Sequence, residues 1–279
     1  MVSSKSSYIL LTELVVTFGF MNENQSSPLR ILAFFAHPDD ESVFLGGTFA
    51  YLVDQGMEIN FICATRGEGG EMGDPPICTR EDLGSVREKE LRCAVKGLGG
   101  KSVRFLDYQD PVVGPEGELY PYTEDINGLV EVLQAEINRV KPHVVITHGP
   151  GGEYGHPAHI QSHEAMMRAL SREININRIV YAPSWLSRET GKFTPEPSFV
   201  VDITPWKNKK TQAINCYKSQ HDMFLRHGTA RAGKPVTIPE IIRPLEALSR
   251  ILPVDSFENQ PDPLGMILEK ISKSEKIPG

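Results

Sequence analysis

Short apolar runs alternate with amphipathic stretches along most of this chain. Ile31–Phe35 is an apolar run that leads through His37-Pro38-Asp39-Asp40 into a helical pattern over Glu41–Asp54, which Gly56 closes. Glu58–Ala64 reads as a second strand. A glycine-rich loop, Thr65–Asp74, then precedes a charged helix from about Glu81 to Lys96. Val103–Leu106 predicts a third strand and Thr123–Val140 a helix with basic residues near its end. Val144–Thr147 is a clean buried strand, followed by a second glycine-rich loop and a helix from Pro157 to about Arg172. Arg178–Ala182 and Phe199–Ile203 read as later strands, Pro205–Ser219 as a helix, and Pro239–Ile251 as a further helix that Pro244 kinks. Strands alternating with helices at this spacing predict an α/β fold: a Rossmann-like, mostly parallel sheet with helices on both faces, in a single domain.

The first residues stand apart. Tyr8–Phe20 is mostly apolar behind Lys5, but Glu13 interrupts it and no small-residue cleavage site follows. It also falls short of the roughly 20 residues that a bilayer span requires. Residues 1–28 are therefore expected to be a poorly ordered N-terminal extension, with Met21 an equally good start, and 29–279 the domain. Neither export nor membrane attachment is expected.

Composition narrows the function classes. Hydrophobic residues at 40% and charged residues at 23% are ordinary globular values. With 29 basic against 36 acidic residues, the net charge of −7 argues against a nucleic-acid partner. Cys63, Cys78, Cys93 and Cys216 form no C-x-x-C pair and are too sparse for a disulfide scaffold, so a reducing, cytoplasmic setting is expected.

The chemistry gathers after the first and fourth strands, where doubly wound sheets bind ligands. Ala36-His37-Pro38-Asp39-Asp40-Glu41 follows one, and Glu153-Tyr154-Gly155-His156-Pro157-Ala158-His159 the other. Residues three apart on a helical turn converge, which brings His37 to Asp40 and His156 to His159. Imidazole with carboxylate suits Zn²⁺, with three protein ligands leaving a place for a water whose pKa falls to about 7. A second carboxylate is then needed to take that water's proton, and Asp39 and Asp40 can divide the two roles. Taken singly, an acidic run at a helix start is commonly a cap, and H-x-x-H on a helix is commonly surface chemistry. Two such clusters, each at a strand-to-helix junction, favour a metal site. His159 and His163 have metalloprotease spacing, but Ile160 stands where that chemistry needs Glu, and His163 reads as a surface or outer residue. His143, His148 and His227 belong to no constellation, although His148 ends a strand near the site. No G-x-G-x-x-G in a strand–turn–helix setting, phosphate-binding loop or G-x-S-x-G elbow occurs.

Those two clusters, with Thr65-Arg66-Gly67-Glu68, resemble the PIG-L/LmbE-like N-acetylglucosaminyl deacetylases over roughly Arg30–Gln220. The resemblance implies hydrolysis of an acetamide on a small-molecule aminosugar, with Zn²⁺ or another divalent metal as cofactor. It implies His37, Asp40 and His159 as metal ligands and Asp39 as general base. His156 matches a histidine that stabilises the oxyanion or protonates the leaving amine, Tyr154 one that polarises the carbonyl, and Arg87 and Asp110 sugar-contacting positions. It also allows a homo-oligomer. The chain departs from the pattern at Ala158, where Asp is usual, and at Tyr217-Lys218-Ser219-Gln220, where His-x-Ser-Gln is usual and either Tyr217 or the following His221 could substitute. Two other functions remain in view: an amidase cleaving a larger glucosamine–thiol conjugate, and a non-catalytic sugar-binding protein on the same scaffold.

Overall fold

The computed structural model describes residues 28–172, 179–187, 190–252 and 262–273. The apolar run at Tyr8–Phe20 lies outside them. Five strands, β1 (Arg30–Phe35), β2 (Glu58–Thr65), β3 (Ser102–Tyr108), β4 (Val144–Thr147) and β5 (Ile179–Pro183), form a parallel sheet in the order β3-β2-β1-β4-β5. A separate two-stranded ribbon pairs β6 (Trp185–Leu186) with β7 (Phe193–Thr194). The main sheet is completed by β8 (Phe199–Asp202) and β9 (Leu245–Leu252), with β9 lying antiparallel between β5 and β8. The order reverses between β1 and β4, so the crevice of a doubly wound sheet opens where those strands end.

The alternation within β1 divides the core. Ile31, Ala33 and Phe35 face one apolar cluster, shared with α1 (Asp40–Asp54), α2 (Arg80–Leu98) and α6 (Lys207–Ile214). Leu32, Phe34 and Ala36 face the other, shared with α3 (Ile126–Val140) and α5 (Pro157–Ser171). Both faces of the sheet are thus covered, which explains why its inner parallel strands β1, β4 and β5 read as near-continuous apolar runs. The remaining α-helices are short or peripheral: α4 (Gly152–Gly155), α7 (His221–Ala232), α8 (Ile238–Ile241) and α9 (Pro263–Leu268). Helix starts follow local chemistry: Thr79 caps α2, and Asp125 caps α3 by accepting from the Gly128 N–H at 2.9 Å, so α3 begins later than Thr123. Among the described residues, no helix is long and apolar enough to cross a membrane.

Two expectations need correction. The helix expected over Pro239–Ile251 is a single turn, α8, followed by the strand β9. Sheet pairing on both sides of β9 overrides the local pattern, and buried Glu246 adds a reason for its placement. Its carboxylate accepts from the backbone N–H groups of Gly47 and Thr48 at 2.9 and 2.7 Å and from Lys210 Nζ at 2.7 Å. Those N–H groups become available because α1 breaks at Leu45 (φ −133°, ψ 20°), and Gly47 lies so near Ile203 that a Cβ would sit 2.6 Å from it. Glu246→Ala leaves the Lys210 ammonium buried without its counter-charge. It is expected to destabilise the fold by about 3–5 kcal/mol, read as a lowered urea midpoint. The second correction concerns cysteine. Cys93 on α2 and Cys216 after α6 are joined as a disulfide across 123 residues, with Cα atoms 5.9 Å apart, whereas Cys63 and Cys78 are free. Sequence spacing could not show that α2 and α6 pack side by side.

Candidate active site

The His37–Asp40 turn leaves β1 sharply. Asp39 adopts φ 109°, a left-handed conformation that Asp tolerates better than most residues, and α1 starts at Asp40. Because of this turn the Asp40 carboxylate folds back to accept the His37 N–H at 2.9 Å. On the other side of the crevice, Gly152, Glu153 and Gly155 all take positive φ, and Pro157 opens α5.

Three side chains from these two crossings converge. His37 Nδ1 lies 3.2 Å from His159 Nε2, Asp40 Oδ2 lies 3.4 Å from His37 Nδ1, and Asp40 Oδ1 lies 3.3 Å from His159 Nε2. The far nitrogen of each ring meets a carboxylate: His37 Nε2 is 3.3 Å from Asp110, and His159 Nδ1 is 2.8 Å from Glu153. Protons on those far nitrogens leave two imidazole lone pairs turned towards the Asp40 carboxylate, which meets His37 through Oδ2 and His159 through Oδ1, an arrangement that calls for a cation. The candidate metal-binding groups here are His37, His156 and His159, and Asp40, His148 and His159. A tetrahedral ion with bonds of about 2.0–2.2 Å spaces its ligand atoms about 3.3–3.6 Å apart, close to the observed separations. The donor set therefore fits a divalent metal.

The surrounding charges agree. Burial lowers the His37 pKa, but Asp110 and Asp40 outweigh it and raise it to about 9, so this pocket favours positive charge. Burial also works against ionised Asp40, yet His159 and His148 hold its carboxyl well below the usual range. Asp39 is pushed up to about 7, first by burial and then, against the pull of Arg87, by Asp40 and Glu41.

Arg87 is itself buried. Its guanidinium donates to Asp39 at 3.1 Å, to the Pro38 carbonyl at 2.6 Å and to the Gly67 carbonyl at 2.9 Å. The glycine-rich loop makes this possible: a Cβ on Gly67 would lie 2.1 Å from an Arg87 nitrogen. Asp110 stands against His37, its backbone N–H held by Glu68 at 3.1 Å. The structure thus places Arg87 and Asp110 behind Asp39 and His37.

His156 caps α5, its Nδ1 accepting the Ala158 N–H at 3.2 Å, and its ring stacks on His159 with centroids 4.5 Å apart. Burial, then the charges of His37 and His159, pushes its pKa down to about 3. Ala158 is wholly buried in apolar surroundings, so the usual Asp has no counterpart beside His156. Tyr154 is 54% exposed, its ring edge-on to His156 and Trp185. At the departure, Tyr217 is fully buried and donates to Glu41, whose other oxygen accepts the Asp39 N–H at 3.2 Å. His221 makes no such contact, and its Nε2 is buried without a hydrogen-bond partner.

His148 and Trp185 escaped the sequence motifs, and Glu153 stood in the second cluster without a role. His148 is fully buried, stacked on His159 at 3.9 Å, with Glu153 Oε2 2.8 Å from its Nδ1. Its Nε2 accepts the Ala36 N–H at 3.0 Å and lies 3.4 Å from Asp40 Oδ2, beside the convergence point. Its place at the end of an apolar strand was a usable signal. Glu153's contact had no such signal, because positive φ at Gly152, Glu153 itself and Gly155 breaks helical periodicity.

Comparison with known proteins adds a lineage. Residues 32–170 match the PIG-L family, described as GlcNAc-PI de-N-acetylase. A probable N-acetyl-alpha-D-glucosaminyl L-malate deacetylase 2 of Bacillus cereus is 31% identical over 204 residues, covering 72% of this chain and 88% of that protein. A 1D-myo-inositol 2-acetamido-2-deoxy-alpha-D-glucopyranoside deacetylase 3 of Catenulispora acidiphila is 33% identical over 171 residues, covering 56% of this chain and about half (48%) of that protein. Among solved structures, the 4-carboxy-2-hydroxymuconate hydratase GalB of Pseudomonas putida superposes with a TM-score of 0.60 at 23% identity, covering 84% of this chain and 100% of that one. The N,N'-diacetylchitobiose deacetylase of Pyrococcus horikoshii gives 0.56 at 21% identity, covering 80% and 83%. These two likenesses speak for the α/β fold alone, while the family match and the Bacillus relative carry the assignment: the chain belongs to the PIG-L family of deacetylases, hydrolases of carbon–nitrogen bonds other than peptide bonds.

Proposed function

We propose that this protein is a zinc-dependent N-deacetylase that removes acetate from a small N-acetylglucosamine-containing molecule and leaves the free amine. The observation that carries the reading is the meeting of the His37 and His159 lone pairs with the Asp40 carboxylate, 3.2–3.4 Å apart, at the sheet's switch point. A divalent metal held there supplies Lewis acidity to a water and to the acetamide oxygen.

The chain's own groups do the rest. Asp39 is the base that takes the proton of the attacking water and passes it to the leaving nitrogen as the carbon–nitrogen bond breaks, and the Arg87 guanidinium behind it fixes the carboxylate's direction. Asp110 likewise fixes the His37 ring, so we propose holding roles for Arg87 and Asp110 in place of sugar contacts. With its Nδ1 occupied by the Ala158 N–H, His156 keeps its proton on Nε2. A pKa of about 3 keeps the ring neutral, which supports donation to the developing oxyanion over protonation of the amine. Tyr154, at the open mouth, offers its phenol to the same carbonyl oxygen. The relatives' names guide the choice of substrates to try.

The test is acetate release from N-acetylglucosaminyl malate, N-acetylglucosaminyl inositol and diacetylchitobiose, with a bulky glucosamine–thiol amide in parallel. Acetate and free amine should appear in equal amounts, stop with a chelator and return with Zn²⁺. Cleavage of the bulky amide alone would replace deacetylase with amidase. If zinc-loaded protein cleaves none of these amides yet binds the sugars, the sugar-binding alternative takes its place.

A further inference from the structure

We propose that Glu153 is a positioning residue that holds His159 and His148 together and thereby sets the affinity of the metal site. The proposal rests on the metal reading above and concerns a side chain outside the expected ligand and catalytic set.

Both oxygens of the Glu153 carboxylate are engaged. Oε2 lies 2.8 Å from Nδ1 of His159 and 2.8 Å from Nδ1 of His148, and Oε1 accepts the Gly149 N–H at 2.8 Å. The side chain is 6% exposed, and its backbone sits at φ 58°, ψ −77°, a conformation that non-glycine residues avoid. Strain of this kind persists where surrounding contacts impose it and gathers at functional sites. Here the contacts are three hydrogen bonds to one carboxylate.

The tautomers follow from the neighbours. The Ala36 N–H donates to His148 Nε2 at 3.0 Å, so the His148 proton is on Nδ1 and is given to Glu153. The same oxygen faces His159 Nδ1, so that ring also carries its proton towards Glu153 and keeps the Nε2 lone pair towards His37 and Asp40. The two rings stack at 3.9 Å with an interplanar angle of 14°, so turning one disturbs the other. Glu153 thus links Ala36, next to His37 at the end of β1, to His159 on α5 through His148. Both walls of the metal site share one anchor. A carboxylate on the far side of a ligating histidine fixes its orientation and raises its basicity, and losing such a partner typically weakens metal binding 10–100-fold.

Glu153→Gln keeps the volume but removes the charge, and an amide turned the other way would place donors against both Nδ1 atoms. Wild type and Glu153→Gln, each as the full chain stripped of metal, would be titrated with Zn²⁺ against a chromophoric chelator. The expected result is a 10–100-fold weaker Zn²⁺ affinity in the variant. Its Co²⁺ visible spectrum should shift as His159 reorients, while the metal-free unfolding midpoint stays comparatively close to wild type. Equal affinity and an unchanged Co²⁺ spectrum in a folded variant would overturn the role of Glu153 and leave the metal reading intact. Failure of wild type to bind Zn²⁺ would overturn the metal reading and this proposal together. Should the variant not fold, long-range ¹H–¹⁵N correlation spectra of zinc-loaded wild type decide the matter. Protons on Nδ1 of both His148 and His159 support the proposal, and a proton on His159 Nε2 defeats it.

Discussion

Asp39→Asn is expected to lower kcat by about 10²–10⁴-fold while the protein keeps its metal. Asn is the informative substitution because it tolerates the φ of 109° at this position and can still accept from Arg87, so the turn survives and only the base is lost. The Asp39 carboxyl stands at about 7, lifted by burial and by its acidic neighbours against the charge of Arg87. A divalent cation beside it would offset that lift and favour the ionised base at neutral pH. The acidic limb of kcat/KM should accordingly lie at or below about pH 7 and be absent from the residual activity of the variant. Measured zinc content separates the two explanations of a slow variant. Full metal with low turnover supports Asp39 as base, whereas wild-type turnover at full metal content removes it from that role.

The parallel half of the fold was legible because its inner strands β1, β4 and β5 are almost wholly buried and read as apolar runs ended by turn chemistry, whereas the edge strand β3 is only partly buried. Val144–Thr147 agrees with the expectation residue for residue, since burial fixes both its type and its length. The region after Thr237 was not legible in the same way. Leu245–Leu252 mixes polar with apolar residues, and what makes it a strand is pairing with β5 and β8, which come from distant sequence. In the site, spacing at two strand ends brought His37 to Asp40 and His156 to His159, because a helical turn converts a separation of three into proximity, while the choice of His37, Asp40 and His159 came from the family resemblance. Glu153 lies only six residues before His159, yet its approach depends on left-handed backbone at Gly152, Glu153 and Gly155 that periodicity does not encode. Tyr217 reaches Glu41 across 176 residues, so the family pattern pointed to the position and only the packing of the chain showed its contact. Nor does fold settle chemistry. A hydratase superposes on this chain slightly better than a chitobiose deacetylase does, with TM-scores of 0.60 and 0.56, so the reaction must be argued from the side chains at the switch point.

Asp40→Asn should have the largest effect of any single conservative change, because it strikes affinity and turnover together. The side chain is 5% exposed and lies 3.4 Å from His37 Nδ1 and 3.3 Å from His159 Nε2, so its charge faces the point where both imidazole lone pairs meet. Asn keeps the shape and can still accept the His37 N–H, which holds the turn in place. What disappears is the anionic ligand, so Zn²⁺ affinity should fall by more than the roughly 100-fold upper value expected for loss of an outer partner. The loss is measurable without any substrate. Ligand binding to the native state stabilises it by RT ln(1 + [L]/Kd), about 2.7 kcal/mol at one hundred times Kd. At a Zn²⁺ concentration that stabilises wild type by that amount, the Asp40→Asn protein should show almost no stabilisation, read from its urea midpoint, and almost no acetate release. A variant stabilised by Zn²⁺ as strongly as wild type would mean that the cation sits elsewhere. The meeting of two imidazoles with this carboxylate would then need another explanation, such as a shared proton, which the high pKa of His37 already makes the natural occupant when no metal is bound.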